Sequence, residues 1–208
     1  MSDASSVDAE AILRLRPSLV VGIPSQSRLI EPLRRAHVTV VLLPDDTYAQ
    51  IFTNLRALGA LTGRRHEAAS TIARLRRETA ALQRRTHRFV RRPSVFVVLG
   101  SVPIWTAGAP SYISELIALA GGKNAAADLR AAYGEYSGEA LLRDQPDLLV
   151  ADPATRVDAV LDREPWRSLR AVRFRRVYTV PPDIIERPGP TYNEGIAWLI
   201  ERLAPIAR

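Results

Sequence analysis

Two hydrophobic periods alternate along this chain. Short runs rich in Val, Leu and Ile fall at 18–23, 37–43, 94–99, 147–151 and 176–180. Runs of that kind read as strands buried on both faces, as in a parallel sheet. Between them, apolar residues recur three and four apart, the helical period. This pattern predicts helices over 28–36 (Pro32 in its first turns), 48–59, 111–120, 138–143, 161–169 and 191–203. Ile51, Phe52, Leu55 and Leu58 form one such apolar face. A first helix runs to Leu15, capped by Asp8 or Ser6, with Glu10 in its electropositive first turn and Pro17 ending it. Gly121-Gly122 stops another helix. The segments 101–110 and 181–190 read as loops.

One helical stretch stands apart. From 64 to 88 no Pro or Gly interrupts a pattern with Ala69, Ile72, Ala73, Leu75 and Leu82 on one side. That is about 25 residues and roughly 37 Å, too long for an ordinary crossover and suited to a rigid spacer. Strands alternating with helices predict an α/β fold. The expected organisation is two lobes with mostly parallel sheets joined by the long helix. Its parts are an N-terminal α/β lobe at 1–62, the inter-lobe helix at 63–92 and a C-terminal α/β lobe at 93–208.

A phrase supports the two-lobe reading. Glu10-Ala-Ile-Leu-Arg-Leu-Arg-Pro-Ser-Leu-Val-Val21 returns as Glu139-Ala-Leu-Leu-Arg-Asp-Gln-Pro-Asp-Leu-Leu-Val150, and seven of the twelve positions are identical. The copies lie too far apart for a solenoid or propeller blade. Each reads as a short helix, a proline break and a strand, with a carboxylate at the helix start. Two equivalent carboxylates on one outer face suit two arginines of a partner, one per lobe, because carboxylate–guanidinium pairs are directional. As an acid/base pair they are not credible, since each stands before a strand and not at its carboxyl end.

Composition removes several chemistries. The chain has no cysteine, which excludes disulfides, thiolate metal sites and a cysteine nucleophile. His37, His66 and His87 have no metal-ligand spacing. No phosphate-binding glycine loop and no G-x-S-x-G elbow is present. No apolar run reaches the roughly 18 residues of a membrane span, and the first residues show no signal-peptide pattern. The net charge is +7, and Lys123 is the one lysine among 29 basic residues. Ten arginines fall between 64 and 92. They read as a solvated helix face. A nucleic-acid surface is the rival, although the aromatic interleaving of single-strand binders is almost absent.

In open α/β sheets, ligands bind at the carboxyl ends of the strands. The segments there are 24–27, 44–47, 102–108, 152–153 and 187–190. They nominate Ser25, Gln26, Asp46, Trp105 and Arg187 as ligand-binding residues, with Tyr136 within reach. Trp105 offers a flat apolar wall to a large ligand.

These residues carry a resemblance. Trp105-Thr-Ala-Gly-Ala-Pro-Ser-Tyr-Ile-Ser-Glu-Leu-Ile-Ala-Leu-Ala-Gly-Gly-Lys-Asn124 is its strongest stretch. Tyr136-Ser-Gly-Glu139 through Pro146-Asp-Leu-Leu-Val150 follows. Trp166-Arg-Ser-Leu-Arg-Ala-Val172, Arg176-Val-Tyr178 and Arg187-Pro-Gly-Pro190 complete it. Together they resemble the substrate-binding proteins of cobalamin, haem and iron-siderophore ABC importers, most closely the cobalamin-binding branch. The resemblance implies a periplasmic binding protein, not an enzyme, without a cofactor of its own. It implies cobalamin first, and haem or a ferric siderophore second, held noncovalently in the inter-lobe cleft. It also implies an ABC permease as partner, docked through Glu10 and Glu139, with no nucleic acid and no membrane contact except through the permease. Alternatives are a cytoplasmic α/β sensor or interaction module that has lost transport, and a nucleic-acid binder using the 64–92 helix. In the family more of the N-terminal lobe precedes the Glu-helix. A truncated lobe is therefore expected, lacking roughly fifty residues and leaving an open sheet edge.

Overall fold

The computed structural model describes residues 8–208. Its elements are α1 (Ala9–Arg14), β1 (Leu19–Gly22), α2 (Glu31–Arg35), β2 (Thr39–Leu42), α3 (Tyr48–Leu61), α4 (Arg65–Thr86) and β3 (Ser94–Val98). Then come β4 (Gly100–Ser101), β5 (Ile104–Ala107), α5 (Tyr112–Leu119), β6 (Lys123–Asn124), β7 (Tyr133–Glu135), α6 (Gly138–Asp144) and β8 (Leu148–Ala151). The chain closes with α7 (Arg170–Arg173), β9 (Val177–Thr179), α8 (Pro182–Ile185) and α9 (Tyr192–Leu203). The α/β class is as read from the sequence.

Two compact units result, Met1–Asp45 and Asp46–Arg208. This places the division before α3, whereas the sequence pattern put it after 62. The physical reason is how α3 and α4 pack. Tyr48 and Phe52 of α3 meet Tyr192 of α9 edge-on, with centroids 5.0 and 6.2 Å away. In α4, Thr79 Oγ lies 2.6 Å from the Tyr192 hydroxyl and 2.9 Å from Asn193 Oδ1. Asn193 Nδ2 donates to the Leu75 carbonyl at 3.1 Å and to Glu78 at 3.0 Å. The long helix is thus bolted to the last helix by buried polar contacts. It has 22 residues, about 33 Å at 1.5 Å each.

In Asp46–Arg208 a four-stranded sheet of order β6-β3-β8-β9 is parallel throughout, and β4-β5-β7 form a separate antiparallel sheet. β3 and β8 are wholly buried. Asp147 anchors their start: its carboxylate accepts from Arg91 at 2.8 Å and from the Ser94 N–H at 2.9 Å. Burial alone would push this carboxyl up, but Arg91, the Ser94 N–H and Arg170 hold it below the usual range. One face of the sheet packs on α5 and α9 through Val95, Val97, Leu148 and Val150, and the other on Trp166 and Leu169 through Phe96 and Leu149.

In Met1–Asp45, β1 and β2 pair in parallel as a two-stranded sheet. The expected burial of both strands is not met. No residue of either is fully buried, and Val21 is 44% exposed. A strand needs neighbours on each side to be buried, and among the described residues these two have only each other.

Other expectations shift. Residues 101–110 are not a loop: β4 and β5 fold there as a hairpin around Val102-Pro103. β6 and β7 lie where no strand was expected. The 28–36 helix shortens to α2, and a single 3-10 turn, Trp166–Ser168, replaces the helix expected over 161–169. Residues 181–190 contain α8. Asp8 caps α1, its Oδ1 accepting from the Ala11 N–H at 2.9 Å; Ser6 lies outside the described residues. Gly121 ends α5 at φ +82°, with the Gly121 N–H donating to the Ala118 carbonyl and the Gly122 N–H to that of Ile117.

The polar bolt makes a prediction. Thr79→Val keeps the side-chain shape and removes the hydroxyl shared by Tyr192 and Asn193. It should lower stability by about 1–3 kcal/mol. Urea unfolding measures this, and an unchanged midpoint would show that the contacts do not hold α4.

Candidate functional site

The site begins where β3 ends. The Leu99 N–H donates to the Trp105 carbonyl at 2.9 Å, turning β5 back along the chain. Gly100 permits the turn, since a Cβ there would stand 3.0 Å from that of Trp105. β7 then pairs with β5, Trp105 opposite Glu135 and Ala107 opposite Tyr133. Directly paired residues, and residues two apart, share a face of an antiparallel ladder. Trp105, Glu135 and Tyr133 therefore stand together. Trp105 is 41% and Tyr133 39% exposed, and Val102 projects from the hairpin tip. Two partly exposed aromatic rings and a carboxylate make a surface that can stack against a flat ligand and orient its polar edge.

Neighbouring strands contribute the surroundings. The Ser101 hydroxyl donates to the Thr155 carbonyl at 3.2 Å, tying the hairpin to the turn after β8. In that turn the Asp152 carboxylate accepts from the Ala154 N–H at 2.7 Å. After β9, α8 leads to Glu186 and Arg187. Arg187 forms a solvent-exposed ion pair with Asp183 at 2.6 Å. Glu186 is half-buried, and its carboxyl is raised to about 7, first by burial and then by the charge of Asp152, with Arg187 opposing.

The structure sorts the nominated residues. Trp105 and Arg187 both follow carboxyl ends of the parallel sheet in Asp46–Arg208. Asp46, at the start of that unit, is exposed and its N–H donates to Gln50 Oε1 at 2.7 Å. Ser25 and Gln26 belong to Met1–Asp45. Ser25 is exposed; Gln26 braces its own loop, Oε1 accepting from the Ile23 N–H at 3.1 Å.

Tyr136 is corrected. It is 8% exposed, its ring packs on Phe96, and its hydroxyl is shared by Asp144 at 2.6 Å and Asp128 at 2.8 Å. It braces the core, with its ring largely covered and its hydroxyl engaged by two carboxylates. Tyr133, three residues earlier, takes its place beside Trp105. Strand alternation was the signal that finds it: 133 and 135 share the Trp105 face, whereas 134 and 136 point the other way.

The two repeated carboxylates have matching local geometry. Asp8 and Ser137 cap their helices through the Ala11 and Ala140 N–H groups. Glu10 and Glu139 are both in the first turn and exposed. Neither side-chain carboxylate has a hydrogen bond or ion pair with a described residue, although the Glu139 N–H donates to the Ser137 hydroxyl at 3.2 Å. Arg16 and Gln145 follow in the left-handed region, at φ 50° and 42°, each just before its proline. Pro24–Gln26 and Pro153–Thr155 are matching 3-10 turns after the strands. One earlier inference fails: Glu139 is not remote from the strand carboxyl ends. The Tyr136 N–H donates to the Ile104 carbonyl, so α6 starts beside the hairpin that carries Trp105.

The arginine-rich stretch has local partners. Arg64 pairs with Glu67, Arg74 with Glu78 and Arg91 with Asp147, Arg76 covers the Phe52 ring, and Arg92 donates to the Gly122 carbonyl. A groove of about 660 Å³ is lined by Ala68, Ala69, Ile72 and Ala73 with Arg56, Arg65 and Arg76, all on α3 and α4. It contains none of Trp105, Tyr133, Glu135, Arg187, Glu10 and Glu139. Among the described residues no group of His, Asp or Glu is arranged to hold a metal ion, and no helix is long and apolar enough to cross a membrane.

Comparison with known proteins gives a consistent match. The family model described as periplasmic binding protein matches residues 2–184. An ABC transporter substrate-binding lipoprotein of Bacillus subtilis, YvrC, is 26% identical over 208 residues, covering 96% of this chain and 66% of its own. A cobalamin-binding protein of Halobacterium salinarum is 31% identical over 205 residues, covering 93% of this chain and 55% of its own. The chain thus spans just over half to two-thirds of the length of these relatives. The periplasmic haem-binding protein RhuT of Roseiflexus sp. RS-1, in its apo form, has the same fold. Its TM-score is 0.89 at 24% identity, over 99% of this chain and 82% of that one.

Glu186 supplies a pH test. Its carboxyl is raised from the ordinary 4.5 to about 7, so the folded state favours the proton. The resulting stability is present below pH 4.5 and is lost as pH rises through about 7. Glu186→Gln should flatten that loss, by about 1–2 kcal/mol after allowance for partial exposure. Urea midpoints at the two ends of the window decide it, and the same pH response in both proteins would refute it.

Proposed function

The chain belongs to the periplasmic binding protein family, and from that premise we propose that it is the solute-binding component of an ABC importer for a large metal chelate. Proteins of this kind bind and hand over; they are not enzymes. A cobalamin-like corrinoid is the first ligand class, and haem or a ferric siderophore the second. The observation that carries the reading is the exposed pair Trp105 and Tyr133, beside Glu135, at the carboxyl end of a parallel sheet. A macrocycle presents a broad, partly apolar face to such a pair and polar groups at its rim. Binding is noncovalent, through shape and apolar contact. The name of the Halobacterium relative supports the corrinoid, and the fold shared with the haem-binding protein suits the wider ligand class. Arg187 and Asp183 extend the polar surroundings.

The same reading gives Glu10 and Glu139 a partner. Each is an exposed carboxylate in the first turn of a capped helix, repeated with the same register, and has no side-chain partner among the described residues. They suit two arginines of the permease, and the work is done outside the cytoplasmic membrane, as it is for periplasmic relatives.

Two experiments follow. Titration with cyanocobalamin, haemin and a ferric hydroxamate should show binding by one of them. Trp105→Ala and Tyr133→Ala should each weaken that binding about tenfold, or roughly 1.4 kcal/mol. Failure of all three ligands to bind removes the proposal. Glu10→Arg with Glu139→Arg should leave ligand affinity unchanged and abolish uptake through a reconstituted permease. Uptake at the original rate would remove the docking role.

A further inference from the structure

The parallel sheet of Asp46–Arg208 has two ends, and the one opposite Trp105 is strongly basic. Because β6, β3, β8 and β9 all run the same way, the segments that lead into them gather at one end. Residues 87–93 lead into β3, and Arg88, Arg91 and Arg92 there are exposed. Lys123 opens β6 and is exposed. Residues 173–176, Arg-Phe-Arg-Arg, lead into β9. The end of α9 is held at the same place: the Val90 and Arg91 N–H groups donate to the Ala207 carbonyl at 2.8 and 3.3 Å. Beside it, a groove of about 400 Å³ is lined by Phe89, Ile200 and Ala204 together with Arg84, Arg85 and Arg88.

Acidic groups near these segments are already engaged. Asp147 is buried and pairs with Arg91 and Arg170, Asp128 and Asp144 pair with Arg143, and Glu201 pairs with Arg202. Arg84, Arg85, Arg88, Arg173 and Arg175 form no ion pair with a described residue. Two large apolar side chains stand among these charges: Val90 is 85% and Phe174 62% exposed. Arg176 lies over the Phe174 ring, its guanidinium carbon 5.0 Å from the centroid. Only β8 separates β3 from β9, so the two segments enter the sheet about 10 Å apart.

We propose that this end of the unit is a docking surface for an anionic phospholipid bilayer. Phe174 and Val90 enter the boundary between headgroups and acyl chains, and the arginines around them lie on lipid phosphates. The division of labour is that of an interfacial anchor: apolar side chains supply burial, and a basic surround supplies attraction to anionic lipid. Guanidinium suits the phosphate, because its planar fork donates two hydrogen bonds at once and is more weakly hydrated than an ammonium. The protruding Val90 and Phe174 favour a bilayer over a soluble polyanion, which gives such side chains no apolar medium to enter. The resemblance to importer components implied membrane contact through a permease alone. This contact differs in kind and in place. It needs neither a transported ligand nor a permease, and it leaves Trp105, Tyr133 and Glu139 uncovered at the other end.

Vesicle co-sedimentation of the 208-residue protein tests this. Vesicles of phosphatidylcholine and phosphatidylglycerol in equal parts should bind it at least about tenfold better than phosphatidylcholine alone. Salt at about 1 M, where the screening length falls to about 3 Å, should release it. Arg173→Gln with Arg175→Gln should weaken binding about tenfold, and Phe174→Ser, made separately, should do the same. These side chains are exposed, and urea midpoints check that each variant is folded. The Phe174→Trp protein should show a blue shift of its emission on the mixed vesicles that the original protein does not show. No preference for the anionic vesicles overturns the proposal, and so does binding that survives both sets of substitutions. Equal binding to soluble polyphosphate or DNA, with no emission shift on vesicles, would assign the surface to a soluble polyanion and overturn it too.

Discussion

A parallel strand is stable where both its edges are paired and both its faces covered, and β8 is the strand that meets that condition. β3 and β9 flank it, its residues are fully buried, and the Asp147 carboxylate fixes its start to Ser94 and Arg91. The rest of the Asp46–Arg208 unit is positioned from this pair of strands. The hairpin with Trp105 leaves the end of β3, the capped turn at Asp152 leaves the end of β8, and α6 feeds the chain into β8 through a left-handed residue and a proline. β1 repeats β8 in sequence and in register but pairs, among the described residues, with β2 alone, and its side chains stay partly exposed. The same local code therefore gives two outcomes, decided by what lies alongside.

The second constraint is polar. A long helix packed only by apolar contacts can slide or rotate at small cost, because such contacts have no direction. Thr79, Tyr192, Asn193 and the Leu75 carbonyl are directional, and in a buried setting each lost bond leaves an unsatisfied group. This fixes α4 to α9 in one register. The three-ring contact of Tyr48, Phe52 and Tyr192 does the same for α3. These bonds explain why both helices divide with the C-terminal unit.

Much of the fold was legible because its signals are local. Strands appeared as β-branched runs, the start of α1 as Asp8, and the end of α5 as Gly121-Gly122. The missed elements are those whose signal is short or whose punctuation misleads. β6 and β7 are too brief to establish a period. Gly100 and Val102-Pro103 read as a loop, although they are the bend of a hairpin. Burial of 18–23 was misjudged because composition shows what a strand tolerates, not who its neighbours are. The place of Trp105 directly after a buried strand was legible in the sequence. The place of Tyr133 beside it was not, because β7 is too short for its alternation to be read.

Parity and direction also settle where Glu139 stands. A helix that precedes a strand in an α/β unit runs back across the sheet, so its first turn lies toward the strand's carboxyl end. The sequence reading had assigned that carboxylate to the opposite end, by treating position before the strand in the chain as position before it in space. The hydrogen bond from Tyr136 to Ile104 removes the ambiguity: the chain passes from the Trp105 ladder directly into α6. A partner that grips Glu139 therefore meets this unit at the end where Trp105 and Tyr133 stand. The proposed docking carboxylate and the proposed ligand contact therefore stand at one end of this unit.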